Sequence, residues 1–311
     1  MLPVAQPRIS LADLRGDRRR TRTEKLVRIL LFAAALTSVA ISAAIILSLL
    51  GQTWTFVSQV ELSSLWSDGW FPRRGQYDIK TIVTGSILVS AVAMVVAVPL
   101  GLGAAVYLSE YASQRARKWL KPTLEILAGI PSVVLGFFAL AFISPQVVQR
   151  IFSEATAFSM AAAGIGVGIL VIPLMATISE DAMRSVPDAL REASTGVGAR
   201  KITTTVKVVI PAAVSGLVAA FIVAISRAIG ETMVVFIAAG ATGGSLFSTD
   251  VLGPGQTMTA AMASQAAGTD QVRGEALTFQ SLFFVGMLLF LFTLVLNLAA
   301  DRFVRRVRQA Y

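Results

Sequence analysis

The chain has 311 residues, of which 55% are hydrophobic and 14% charged, with 27 Lys and Arg against 18 Asp and Glu. Soluble domains carry roughly 25% charged residues, so this composition excludes that class, and with it disorder, collagen, coiled coils and disulfide scaffolds. Neither Cys nor His occurs, which removes thiol chemistry, His-based triads, the usual zinc sites and imidazole relays.

Residues 1–25 are rich in Arg and Pro and are expected to form a tail near anionic headgroups. Six apolar stretches then follow, each about 20 residues or more, the length that crosses a bilayer as a helix. They run Ile29–Leu50, within Thr81–Leu108, within Ile126–Val148, within Ala155–Ser179, from near Pro211 to near Ala239, and Ala276–Ala300. The first follows some 25 polar residues and lacks a small-residue cleavage pattern, so it is expected to be a span and not a signal peptide. Pro131 predicts a kink or a break in the third. The fifth carries Arg227 and Glu231 inside its apolar run.

Placing the N-terminus in the cytoplasm puts residues 1–28, 109–122, 179–210 and 301–311 inside, with 21 of the 27 Lys and Arg. Arg73, Arg74, Lys80, Arg150 and Arg273 fall outside, and Arg227 stays in the membrane. This asymmetry follows the positive-inside rule and accounts for the net charge of +9 without nucleic acid. With six spans, both termini are expected in the cytoplasm. Outside, residues 51–79 offer Trp54, Trp66, Trp70 and Tyr77 as candidate interfacial anchors, and the Gly-, Ala-, Thr- and Ser-rich run 240–275 suits a loop or a short re-entrant segment.

The segment 179–210 is the longest internal cytoplasmic one. Ser185 as cap, Pro187 and Asp188 in the first turn, and apolar Val186, Ala189, Leu190, Ala193 and Val197 predict an amphipathic helix of about four turns, stopped by Gly196 and Gly198. Periodicity alone fits a helix lying on the membrane equally well with one inserting into a groove on a soluble partner. The residues Glu192-Ala193-Ser194, then Gly198, Val208 and Ile210-Pro211, have the spacing of the EAA loop of ABC importer permeases, which they resemble. Ser194, Val208 and Ile210 are mild departures from that pattern. The resemblance implies a coupling helix that docks on a separate ATPase, with Glu192, Ala193, Ser194 and Gly198 at the contact.

Arg227 and Glu231 are four residues apart, and charges at this depth face a bundle interior or a wet cavity. Two readings follow from the residues. One is an ion pair that neutralises both groups and locks packing. The other is a substrate site: the planar guanidinium donates paired hydrogen bonds to a tetrahedral oxyanion. Glu231 would then hold Arg227 or accept from a protonated substrate oxygen, available in hydrogen phosphate and not in sulfate. The run Arg227-Ala228-Ile229-Gly230-Glu231-Thr232-Met233 is similar to the signature of phosphate-specific ABC permeases of the PstC type. So is Leu127-Ala128-Gly129-Ile130-Pro131-Ser132-Val133-Val134 with Glu125 before it. Over residues 80–300 the resemblance implies an all-α fold of six transmembrane helices, the type I ABC importer permease fold, in a bacterial inner membrane. It also implies a phosphate path at Arg227, Glu231 and Thr232, with Glu125 a weaker member. The partners it implies are a PstA-like permease, a PstB-like ATPase dimer that uses ATP and Mg, and a PstS-like phosphate-binding protein. No cofactor is expected on the chain itself.

Other classes remain open on the residues. A membrane enzyme lacks support, since no span core contains Asp and no Gly-x-x-x-x-Gly-Lys-Ser/Thr loop occurs. A channel or secondary transporter accommodates the charged pair but has no need of the 185–211 spacing. Sulfate, molybdate and phosphonate importers would share the architecture.

Overall fold

An apolar run in lipid must satisfy its own backbone, and a helix does so within one segment. The computed structural model describes residues 18–240, 243–268 and 277–307, and among them it is mainly helical with one small sheet. Residues 1–17, Arg273, Ala276 at the head of the sixth stretch and the last four residues lie outside the described residues. The chain divides into two compact units, residues 1–51 and 52–311.

Helix α1 (Arg18–Gln59) supplies the first unit up to Gly51, and its last eight residues belong to the second. Between Ile29 and Leu50 its side chains are exposed, apart from half-buried Ile46 and Leu49. A charge-free surface that is apolar on every side suits lipid.

In the second unit, a hairpin of β1 (Gly69–Phe71) and β2 (Gln76–Tyr77) leads into α2 (Ile79–Val106). Asp78 caps α2, its carboxylate accepting from Thr81 N at 3.2 Å and Thr81 Oγ1 at 2.6 Å. A π-helical turn, Tyr107–Tyr111, ends this span. Next come α3 (Gln114–Ala128), α4 (Ser132–Phe138) with its π-helical extension Ala139–Val148, α5 (Gln149–Ile151) and α6 (Met160–Arg184). Then follow α7 (Asp188–Gly196), α8 (Lys201–Thr204), the π turn Thr205–Val209, α9 (Ile210–Ala212) and α10 (Val214–Ile229). The rest is α11 (Met233–Ala238), β3 (Ser245–Leu246), α12 (Met258–Ala267) and α13 (Thr278–Val307).

The spine of the unit is α2 against α6. Small residues let the backbones touch: a Cβ on Gly164 would lie 2.6 Å from Val92 Cβ, one on Gly168 2.9 Å from Ala93 O, and one on Gly101 2.8 Å from Met175. These contacts advance together along both helices, so α2 and α6 run parallel. By contrast, α10 and α11 run antiparallel to α6, with Gly216 against Ala182 and Val234 against Gly166. Buried Ala220, Ala224 and Ala228, four apart, form the face of α10 turned inward.

Three stretches differ from the sequence expectation. At Pro131 the structure shows the expected break, placed at the head of a span and not within it: Pro131 precedes α4 at its N-cap with φ −59° and ψ 134°, and the helix of spanning length is Ser132–Ile151. Proline pushes the residue before it out of the helical region and fits a helix start, so Ile126–Ala128 stay on α3. The fifth stretch is not one helix. Residues Lys201–Ala212 and Val214–Ile229 meet at 72°, and a second break follows at Gly230. Five helices qualify as spans, or six if that bent pair is one. Finally, Trp70 (1% exposed) and Tyr77 (4%) are not interfacial anchors: they pack with Phe56 and Ile82 in a core, whereas Trp54 and Trp66 are exposed. Pairing of β1 with both β2 and β3, in the order β2-β1-β3, draws them inward and ties the 51–79 segment to the one after 243.

Candidate functional site

Arg227 occupies the last turn of α10, and Glu231 lies just beyond it, between α10 and α11. The two therefore straddle a helix break and do not share one continuous helix. Arg227 Nη1 donates to Glu231 Oε2 at 2.5 Å. The other carboxylate oxygen accepts from Val234 N at 3.4 Å, covering a free amide of α11. Thr259 Oγ1 on α12 donates to the Glu231 carbonyl at 2.6 Å. Glu231 is 3% exposed while the Arg227 side chain is 44% exposed in the isolated chain. The carboxylate is thus held from α10 and α11, and the Glu231 backbone from α12. The guanidinium has five N–H donors and spends one on Glu231, leaving a fork open on the exposed side. Thr232 is half-buried at the N-cap of α11, its hydroxyl 3.4 Å from Gly230 O. Glu125 is exposed on α3 beside a groove shared with Arg117, Lys118 and Lys121. The described contacts do not bring it to Arg227 or Glu231.

At the other end of interest, α7 has nine residues, about two and a half turns instead of four, and none is buried. Ser185 is not its cap. Ser185 is the C-cap of α6, with its hydroxyl donating to Ala182 O at 2.8 Å, and Pro187 precedes α7. The expected apolar face is split. Val186 is buried and Leu190 half-buried, whereas Ala189, Ala193 and Val197 form an exposed stripe beside exposed Glu192. Ser194 turns toward α8, its hydroxyl 2.9 Å from that of Thr204. Gly198 has φ +80° with open space around it, so glycine is needed there for the left-handed turn and not for close approach.

Charged residues that the sequence reading did not single out anchor this helix. Arg191 donates to Glu110 Oε1 at 3.0 Å, Met183 O at 2.8 Å and Val186 O at 2.6 Å. Lys201 lies over the Tyr111 ring at 5.0 Å. Nearby, Glu180 is fully buried, with Lys121, Arg117 and Arg184 at 3.4, 3.6 and 3.7 Å. Ser109, Glu110, Arg184, Asp188, Arg191 and Lys201 help line a cavity of about 530 Å³ at this end. The one signal for them in sequence was charge placed just past span ends.

Residues 97–309 match the family described as "Binding-protein-dependent transport system inner membrane component". The chain belongs to that family. This inner membrane component is 35% identical over 220 residues to the probable ABC transporter permease protein YqgH of Bacillus subtilis (strain 168), covering 69% of this chain and 71% of that protein. It is 29% identical over 293 residues to the phosphate transport system permease protein PstC of Mesorhizobium japonicum, 88% of each chain. Its fold superposes on a bacterial ABC transporter involved in the import of the acidic polysaccharide alginate with TM-score 0.65 at 15% identity, over 93% of this chain and 100% of that one. The component is therefore a multi-pass helical membrane protein with the ABC importer permease fold. Both Arg227–Glu231 and α7 lie within the matched region.

Proposed function

We propose that this chain is the permease subunit of an ATP-driven importer of inorganic phosphate. The observation that carries this reading is a guanidinium anchored on a buried carboxylate and still open on one side, at a broken helix in a membrane component. The name of the Mesorhizobium japonicum relative, a phosphate transport system permease, points to the anion. Arg227 would bind phosphate through its free N–H groups, and the fixed Glu231 would hold the fork in place and lower its net positive charge. That keeps binding modest, as passage requires, because a tight site would trap the anion.

In this reading the chain forms the path with a PstA-like permease. A PstS-like binding protein delivers phosphate outside, and two PstB-like ATPases consume ATP with Mg inside. Both termini and α7 face the cytoplasm, in line with the excess of Lys and Arg there. The exposed stripe Ala189, Ala193 and Val197 with Glu192 is the surface offered to the ATPase. Movement of α7 reaches the bundle through Arg191–Glu110 into the α2 span and through Ser194–Thr204 into α8, a hinge or shear change of access.

The test is Arg227→Ala in the assembled transporter. Phosphate uptake is expected to be abolished, while assembly and basal ATP hydrolysis persist. Uptake at the normal rate would remove Arg227 from the path.

A further inference from the structure

Helix α2 is 28 residues long and so spans about 42 Å from end to end. At the first turn, remote from α7, a second cavity of about 240 Å³ opens between the hairpin and α12. Gly244 makes the approach feasible: its φ is +122°, and a Cβ there would lie 2.3 Å from the Phe71 ring and 2.6 Å from Trp70 O.

Two of the residues lining this cavity are buried and carry an unsatisfied polar atom. Trp70, 1% exposed, has no acceptor for Nε1. Gln256, 2% exposed, has no donor for Oε1. The Gln256 amide is oriented by Ser264. Ser264 gives its hydroxyl proton to Ala261 O at 2.9 Å, so it accepts from Gln256 Nε2 at 3.2 Å. The amide oxygen is therefore the atom left over. Buried polar atoms are nearly always paired, and orphans beside a cavity leave a place for a water, an ion or a ligand. Arg73 and Arg74, both exposed, also line the cavity, and among the described residues of its lining there is no carboxylate. The Arg74 guanidinium lies 5.3 Å over the Phe71 ring, and Arg73 Nη2 lies beside Gly268.

We infer that this cavity is a second anion site, taking a tetrahedral oxyanion that still carries a proton, the hydrogen phosphate class. The two guanidinium groups neutralise the charge, Trp70 Nε1 donates to one oxygen, and Gln256 Oε1 accepts the anion's own O–H. A fully deprotonated oxyanion such as sulfate has no proton for Gln256 and leaves that oxygen unpaired. The site stands apart from Arg227. The inference rests on the proposed function only for phosphate being the cargo; under the proposed topology the cavity is on the outer side, where released phosphate waits before Arg227.

The experiment measures equilibrium binding of radiolabelled inorganic phosphate to the purified permease–ATPase complex, without binding protein, in an Arg227→Ala background. Saturable binding is expected to persist, with sulfate competing about tenfold more weakly, the worth of one hydrogen bond to a charged group. Arg73→Ala with Arg74→Ala is expected to remove it, and Arg73→Lys with Arg74→Lys to restore part of it. Gln256→Leu is expected to weaken phosphate and bring it level with sulfate. Absence of saturable binding, equal competition by sulfate in the parent, or binding indifferent to the arginine changes overturns the inference. So does loss of binding-protein docking in the arginine variants with phosphate binding unchanged, which would make those arginines a protein contact. Normal uptake by Arg227→Ala would sink the proposed path residue and leave this assay readable.

Discussion

Arg227 and Glu231 divide their labour by burial. The carboxylate, 3% exposed, is held by Arg227 and Val234 N, while the guanidinium, 44% exposed, keeps donors to spare. Lys at position 227 would keep the charge but replace the planar fork with an ammonium of three rotatable donors, which cannot give an oxyanion two parallel hydrogen bonds. Arg227→Lys is expected to cut phosphate uptake by about tenfold or more, read as kcat/KM in cells carrying equal amounts of transporter. Backbone freedom makes a second residue-scale contrast. Gly198 sits at φ +80° and Gly196 does not, and neither has an atom near its missing Cβ. A left-handed non-glycine residue costs roughly 1–2 kcal/mol. Gly198→Ala is therefore expected to loosen the turn after α7 and weaken ATPase co-purification, whereas Gly196→Ala leaves it intact or strengthens it. Equal behaviour of the two variants would show that the φ of Gly198 is unimportant.

Helix α7 has no buried residue, and half-buried Leu190 packs against the apolar cluster of Met183, Val186 and Val209. Its polar attachment is Arg191, which joins Glu110 at the end of the α2 span and two carbonyls of the α6–α7 turn. Arg191 is 21% exposed and Glu110 8%, so the pair is less screened than a surface bridge. Arg191→Glu or Glu110→Arg alone is expected to uncouple ATP hydrolysis from uptake. The double exchange is expected to restore part of the coupling, measured as phosphate transported per ATP. Failure of the exchange to improve on either single variant would mean the contact does not carry motion. The breaks in the chain also belong to this scale. Pro131 sets the start of α4 by steric exclusion, and the 72° bend at Ala213 lets the α8–α9 segment lie across the end of the bundle before α10 enters it.

At the scale of the molecule, α2 and α6 run parallel with α10 antiparallel to both, the order required when successive spans alternate in direction. The end of the bundle beneath α3 is held by Glu180, fully buried among Arg117, Lys121 and Arg184, with α3 itself contributing no buried residue. Glu180→Gln would leave three cations facing one another. Breaking a buried pair costs about 3–5 kcal/mol, and with these cations 24–50% exposed a loss of about 1–3 kcal/mol is expected after screening. It should read as a lower melting temperature of the detergent-solubilised complex. An unchanged melting temperature would show that Glu180 does not pin α3.

The membrane class, the place of most apolar stretches, a short helix within 185–211 and the nearness of Arg227 to Glu231 were legible in the residues. Each depends on local composition or fixed spacing, which survive without knowledge of the partners in space. Tertiary structure alone decided the rest. It ended α10 between Arg227 and Glu231, drew Trp70 into a core by pairing β1 with β3, and brought Arg191 to Glu110 across 81 positions of chain. A helix break, a strand partner and a distant ion pair are set by competition among long-range contacts. No window of sequence holds both sides of such a contact.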